Sequence, residues 1–267
     1  MKVLFNLKRV NPFALILLLF LAGCETAEKV ESKSDESSAN ETGIKITKAP
    51  SKDFKVTYID PKKIYPDAEL IQISPPDEAL LEPGKMTFLY DSKNFPFVYN
   101  QSVHLTVKND IKQYNFNSPD KIHLPMGTFL CAAYLCDENG ICIKNKTSGK
   151  LSLLNVGIKA KKGIDLKQEM VFLNLPSTNN GACVLVDFML FNNQLGTNGN
   201  KVQLTIDHKT KITLDQWRPV KIEGLSRGRH EIRIDLLTSN NKLTNKTYSS
   251  DKLMVNIPYD NKNLEAW

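Results

Sequence analysis

No stretch of this 267-residue chain stays apolar long enough to cross a bilayer. The longest run, residues 13–22, falls short of the roughly 20 residues that a spanning helix needs, so a permanent transmembrane helix is not expected. Histidine and tryptophan are scarce, four and two. His104, His123, His208 and His230 lack ligand spacing of the His-Glu-x-x-His kind. Cys136 and Cys142 lie too far apart for a zinc knuckle, and no second pair follows them. No metal site is expected. No glycine-rich loop leads from a strand into a helix, so nucleotide binding has no basis and no cofactor is implied. Residues 1–23 contain no acid, and their Lys2, Lys8 and Arg9 supply half of the formal net charge of +6. Without them the chain is nearly balanced, which argues against nucleic acid or an anionic membrane face as partner.

What is present begins with those first residues. A charged start, a short apolar centre and small residues before a cut describe a secretory signal peptide over residues 1–23. Leu21-Ala22-Gly23-Cys24 then resembles a bacterial lipobox, placed directly after the apolar run. The resemblance implies cleavage before Cys24, a diacylglycerol thioether on its sulfur and usually acylation of the new amine. Each buried methylene contributes about 0.8 kcal/mol, and two or three chains anchor stably where one holds marginally. The expected partner is therefore the membrane, through lipid on Cys24. Glu25 follows, where Asp in Gram-negative lipoproteins often signals inner-membrane retention; this favours the outer membrane, facing the periplasm or the cell surface. Acidic residues soon after the cysteine also resemble a surface-export signal of Bacteroidetes-type lipoproteins.

Residues 24–50 open Cys24-Glu-Thr-Ala-Glu-Lys-Val-Glu-Ser and contain no aromatic residue. With little to bury, they read as a disordered tether. Asn40-Glu-Thr, Asn145-Lys-Thr and Asn245-Lys-Thr match glycosylation sequons, read here as coincidence.

Beyond Pro50 helical periodicity is nearly absent, and short alternating runs are separated by turn residues, the pattern of an all-β sandwich or barrel. In His230-Glu-Ile-Arg-Ile-Asp-Leu-Leu237, Ile232, Ile234 and Leu236 point one way and Glu231, Arg233 and Asp235 the other, a strand with one wet face. The element occurs twice. Gly127-Thr-Phe-Leu-Cys-Ala-Ala-Tyr-Leu-Cys136 aligns without gaps on Gly228-Arg-His-Glu-Ile-Arg-Ile-Asp-Leu-Leu237 at an offset of 101. Lys121-Ile122 matches Lys221-Ile222, and Val103-His-Leu-Thr-Val107 matches Val202-Gln-Leu-Thr-Ile206. A duplication decides the architecture. Each half holds an opening strand (86–90; 183–191), then 103–107 or 201–206, then 111–116 or 212–216. The gap-free strand, a return (141–147; 243–247) and a closing strand (151–156; 253–257) complete it. The reading is two tandem immunoglobulin-like β-sandwich domains, residues 51–157 and 158–267, joined by a lysine-rich segment at 157–169. Residues 54–59 and 68–73 are expected to add edge strands to the first.

Asn192-Asn-Gln-Leu-Gly196, Lys201-Val-Gln-Leu-Thr-Ile-Asp207, Gln216-Trp-Arg-Pro and Gly228-Arg-His230 together resemble a family of bacterial lipoproteins with tandem immunoglobulin-like halves, found in Bacteroidetes and cyanobacteria. The match covers most of residues 86–258. The first half of that family carries His-x-His where this chain has Ser102-Val103-His104, and Phe129 stands where the second half has His230. The phosphopeptide binding sometimes ascribed to the family therefore lacks half of its histidines here.

Asp137-Glu-Asn-Gly140-Ile141 separates Cys136 from Cys142. A three-residue hairpin loop with Gly140 in the left-handed conformation sets the two cysteines opposite each other, near disulfide range. A Cys136–Cys142 disulfide is the expectation; the second half has Leu237 and Leu243 there. Cys131 and Cys183 read as buried, inert thiols.

Among residues that could carry chemistry, Gly224-Leu-Ser226-Arg-Gly228 fits the serine-hydrolase pattern G-x-S-x-G. A strand follows it where the nucleophile elbow needs a helix, so it reads as a turn and no catalytic residue is assigned. Trp217 beside Arg218 could stack on a sugar or peptide, or could simply end an edge strand at Pro219. These two, with His104 and His230, are the candidate ligand-binding residues, and Asp187 is an acid out of place in an apolar run. The leading reading is a lipid-anchored, non-catalytic binding or scaffolding module of the cell envelope. Its rivals are an envelope enzyme with a site between the two β domains, and an accessory subunit holding an envelope protein partner by an exposed strand edge.

Overall fold

The structure is a computed structural model that describes residues 43–61, 63–96, 102–109, 113–117, 121–158, 164–176, 183–245 and 247–258. The expected signal peptide, Cys24, most of the tether and the Asn40 sequon lie outside the described residues. Among the described residues all regular structure is β. The alternating runs fold into two sandwiches, each around its own core.

The first sandwich has a five-stranded sheet in the order β4 (Ala79–Leu81), β11 (Gly149–Val156), β10 (Gly127–Leu135), β7 (Val103–Lys108), β8 (Gln113–Asn117). It packs against two strand pairs, β3 (Glu69–Ser74) with β6 (Leu89–Lys93) and β5 (Gly84–Thr87) with β9 (Lys121–Leu124). The second has β1 (Ile44–Thr47), β15 (Thr210–Leu214), β14 (Lys201–Ile206), β17 (Gly228–Leu237) and β18 (Ser250–Ile257) in one sheet. Its other sheet runs β12 (Met170–Asn174), β13 (Cys183–Phe191), β16 (Val220–Glu223), β2 (Lys55–Tyr58).

The duplication holds at the level of register. Gly127 pairs with Val156 and Tyr134 with Gly149, and the residues 101 positions later, Gly228 with Ile257 and Asp235 with Ser250, pair in the same way. Cys136 faces Cys142 and Leu237 faces Leu243 as isolated bridges. The expected return strands shrink to those bridges, because Asn145 and Asn245 draw the chain into a turn. Asn145 Oδ1 accepts the N–H groups of Thr147 (2.9 Å) and Ser148 (2.6 Å), and Asn245 Oδ1 those of Thr247 (3.1 Å) and Tyr248 (2.8 Å). Both sequons of the folded part are this turn; Asn145 Nδ2 is spent on the carbonyls of Tyr65 (2.8 Å) and Ala68 (3.1 Å).

Two expectations are corrected. Residues 54–59 do not join the first sandwich: β2 pairs with β16, and Phe54, Val56 and Tyr58 sink into the second core. Nor does the tether reach residue 50, since Ile44 and Ile46 of β1 fill the same core beside β15. The second sandwich is thus built from residues 44–58 together with 170–257, and the first is inserted between them. The opening strand 86–90 is likewise two strands, broken at Phe88, which is fully buried, whereas its counterpart β13 runs unbroken and pairs with β16 first and β12 after.

The wet face expected for the repeated strand exists only in the second half. On β17 Glu231 and Arg233 stay partly exposed; on β10 every residue from Phe129 to Leu135 is buried. Leu130, Ala132 and Tyr134, the counterparts of Glu231, Arg233 and Asp235, meet Met170, Phe172, Met189 and Phe191 of the second sandwich. Removal of that apolar surface from water, at about 25 cal/mol per Å², drives the two sandwiches together as sheet on sheet.

Candidate cleft and buried polar cluster at the seam

Three features line the seam between the sandwiches. The first is a cleft. Two adjoining cavities of about 630 and 680 Å³ share Lys146, Asn193, Gln194 and Trp217, a size ordinary for ligand sites. Trp217 leaves the end of β15 and rests partly buried against the second core and the seam. Its Nε1–H donates to the Phe188 carbonyl (3.1 Å), and the Lys144 ammonium stands 5.8 Å from its ring centroid. Asn193 Nδ2 donates to Glu169 Oε1 at 2.7 Å, and its Oδ1 is buried with no hydrogen-bond partner among the described residues. An orphaned acceptor of this kind costs about 1–3 kcal/mol unless something donates to it. Asp67 and Glu69 line the one cavity and Lys150 the other.

Arg218, next in sequence, turns away. Its guanidinium lies 4.8 Å from the Tyr58 ring centroid and bonds Asp60 Oδ1 (2.7 Å) and Gln216 Oε1 (3.0 Å). It therefore ties the end of β2 to the segment between β15 and β16, and the adjacent pair does not form one binding surface.

The second feature is a buried cluster centred on Asp187, which is fully buried on β13. Its carboxylate accepts the Cys142 N–H (2.6 Å), takes Asn174 Nδ2 at 3.4 Å and ion-pairs with Lys144. Lys144 Nζ also donates to the Phe188 carbonyl at 2.6 Å. Asn174 Nδ2 donates to the Gly140 carbonyl (2.7 Å), and Asn174 Oδ1 faces His104 Nδ1 at 2.8 Å. His104 also hydrogen-bonds the Cys136 thiol. Burial works against charge on His104, but the sulfur, the Asn174 bond and the Asp187 charge outweigh it and raise its pKa. A third polar group, Lys108 with Asp251, lies farther along the seam. Burial lowers the pKa of Lys108, whose ammonium sits 4.4 Å from the Phe172 centroid, and burial raises that of Asp251.

His230 stands apart from all of this. Its Nδ1 is 2.6 Å from Asp207 Oδ2 and its Nε2 is 2.9 Å from the Ser226 carbonyl and 3.4 Å from Ser226 Oγ. Ser226, His230 and Asp207 thus approach a Ser–His–Asp array. However, both ring nitrogens face atoms that only accept, so both carry protons and Nε2 cannot take one from Ser226 Oγ. Burial opposes that charge; the bond to Asp207, the Ser226 carbonyl and the Asp207 charge raise the pKa nonetheless. The motif is a turn between β16 and β17, held by an imidazolium.

The four candidate ligand residues therefore separate: Trp217 in the cleft, Arg218 against Tyr58 of β2, His104 inside the seam and His230 at the Asp207 turn. Cys131 is buried in the first core, where burial pushes its thiol far up, and Cys183 is half-buried at the start of β13. His123 is exposed on β9, and His208 sits 3.4 Å from Glu231. Sequence reasoning missed Lys144, Asn174 and Asn193. The misplaced acid Asp187 was the one signal pointing to the first two.

The chain matches no protein-family model, and no curated protein matches it in sequence. Among solved structures it is similar to the fibronectin(III)-like modules of Clostridium thermocellum CbhA, at 13% identity and a TM-score of 0.27 over 70% of this chain and 93% of that one. It is also similar to the β-glucuronidase of Parabacteroides merdae, at 12% identity and a TM-score of 0.22 over 73% of this chain and 25% of that one. The third is the Bacteroides ovatus mixed-linkage glucan utilization locus protein SGBP-B, in complex with a mixed-linkage heptasaccharide. There identity is 11% and the TM-score 0.21, over 69% of each chain. At such TM-scores the likenesses carry no inference about function, and the β-sandwich assignment rests on the sheets themselves.

Proposed function

We propose that this chain is a lipid-anchored, non-catalytic binding module of the cell envelope, held to the membrane through Cys24, which takes its ligand in the cleft around Trp217. The supporting observation is the Trp217 indole on the wall that both cavities share, with Lys146, Asn193 and Gln194 lining the same wall. An aromatic face beside an ammonium and two side-chain amides suits a ligand with apolar ring or chain faces and hydroxyl or amide groups, a sugar or a peptide. The outer membrane is the proposed site, with the sandwiches on the periplasmic or surface side.

The test is crosslinking in intact cells followed by mass spectrometry, comparing the natural chain with Trp217→Ala and Asn193→Ala. Partners or glycans lost in both variants and kept in Arg218→Ala support the cleft. Identical capture by all variants, or turnover of a generic ester, sugar or phosphate by the purified protein, would reject the reading.

A further inference from the structure

Cys136 and Cys142 face each other across the hairpin as a non-hydrogen-bonded pair. The bonds that flank them run from Asp137 N–H to the Ile141 carbonyl and from Ile143 N–H to the Leu135 carbonyl, both at 2.9 Å. Such pairs have Cα atoms about 4.5 Å apart, within the span a disulfide bridges. Both are free thiols, and the Cys136 S–H points to the Tyr134 carbonyl at 3.9 Å.

The surroundings set their chemistry. The Gly140 carbonyl can only accept, so the Asn174 atom 2.7 Å from it is the amide nitrogen. Asn174 Oδ1 must then face His104 Nδ1, which therefore carries a proton. The other ring nitrogen is left as an acceptor for the Cys136 thiol, with Asn174 holding the ring in place. A thiol, a base and a group that orients the base is the arrangement of an activated nucleophile. Burial and the Asp187 charge push the Cys136 thiol up, but Cys142 and His104 bring it below the usual thiol range. Cys142 is pushed well above it by burial, by Cys136 and by Asp187, against the opposing charge of Lys144.

Access is narrow. Cys136 and Cys142 are 1% and 2% exposed, which excludes a protein disulfide as reagent. Neither cysteine lines a cavity of about 300 Å³ whose wall includes His104 and Asn174, but Asn174 Nδ2 lies 3.3 Å from Cys142 Sγ, so one layer of side chains separates that cavity from the pair. Only a molecule of a few atoms could pass that layer.

We propose that Cys136 and Cys142 are a peroxide-reactive dithiol, with Cys136 as attacking sulfur, His104 as its base, Asn174 as the group that orients the base and Cys142 as resolving sulfur. Cys136 Sγ, its proton moved to His104, attacks one oxygen of hydrogen peroxide. The S–O bond forms, the O–O bond breaks, and the departing hydroxide takes the proton from His104 and leaves as water. Cys142 Sγ then attacks the sulfenic acid sulfur. The S–S bond forms, the S–O bond breaks, and the hydroxyl leaves as water with the Cys142 proton. Two thiols and one peroxide become one disulfide and two waters. Leu237 and Leu243 hold the same register in the second sandwich, so the chemistry belongs to the seam and not to the repeat.

The experiment treats the full chain, reduced and freed of reductant, with stoichiometric hydrogen peroxide and maps the cysteines by mass spectrometry over time. The expected product is a Cys136–Cys142 link lighter by two hydrogen atoms, formed before Cys183 reacts. Its rate rises with pH well below the ~8.5 of a free thiol. Cys142→Ser accumulates a sulfenic acid at Cys136 that a cyclic dione captures. His104→Gln slows the reaction by about tenfold or more, with Cys131 still closed to alkylation as proof of folding. Oxidation of Cys183 ahead of the pair, a rate that follows an ordinary thiol, or an unchanged rate in folded His104→Gln would each overturn the proposal.

Discussion

Asp187 of the second sandwich accepts the backbone N–H of Cys142 in the first at 2.6 Å. With the Lys144 ion pair this fully buried carboxylate ties both sandwiches together. Removing one partner of a buried pair strands the other charge, which typically costs about 3–5 kcal/mol. Asp187→Ala is therefore expected to lower unfolding stability by that order in urea titration, and Asp187→Asn by less, because its amide oxygen can still accept from Cys142. An Asp187→Ala variant as stable as the natural chain would deny the clasp any structural role.

Val56 tests the crossing of the amino-terminal segment. It is fully buried in the second core and pairs with Ile222. Val56→Ala removes buried methyl groups and should cost about 1–3 kcal/mol. The loss of hydrogen-exchange protection should fall on β16 and β13, not on β10. Protection lost mainly in the first sandwich would contradict the strand order described here.

Gly149 tests the seam. A Cβ placed on it would lie 2.6 Å from Met189 Cε and 2.8 Å from Phe191 Cε1. Gly149→Ala should destabilise by about 1–3 kcal/mol through overpacking, and Gly149→Ala combined with Met189→Ala should recover part of it, since one of the two obstacles is gone. Strict additivity in denaturation measurements would show that the contact is not tight.

His230 makes stability depend on pH. Its pKa is raised in the folded chain, so the proton it holds stabilises the fold fully below the unfolded value of about 6.5. That contribution disappears as pH rises through the folded value. The stability difference between the natural chain and His230→Gln should thus be larger at pH 5.5 than at pH 8.5. A difference that grew with pH would mean that the ring is held neutral.

Much of the fold could be read from local pattern. The offset of 101 between the repeated strands survives in the ladder register, and the loop with Gly140 at φ 75° places Cys136 opposite Cys142 as its turn chemistry requires. Leu130, Ala132 and Tyr134 also stood in the sequence where the second repeat has Glu231, Arg233 and Asp235. That contrast marks a covered face, but not its cover. Residues 54–59 were assigned to the wrong sandwich because alternation tells which side of a strand is dry and not which sheet edge it joins. The site was harder to see: Trp217 and Arg218 are neighbours that face different surfaces, and Asn193 drew notice only within a turn motif.

The sequence by itself determined strand period, duplication and hairpin register, because these depend on side-chain alternation and turn residues within a few positions of each other. The proposed anchor at Cys24 rests on sequence alone. Only the tertiary structure decided that β1 and β2 serve the second sandwich, that the two sandwiches bury one face against each other, and that His104 meets Asn174 seventy positions away. Loop closure grows only slowly more costly with chain length, so distance along the chain barely restricts such meetings. Burial and polar satisfaction choose among them, and neither is visible until the chain is packed.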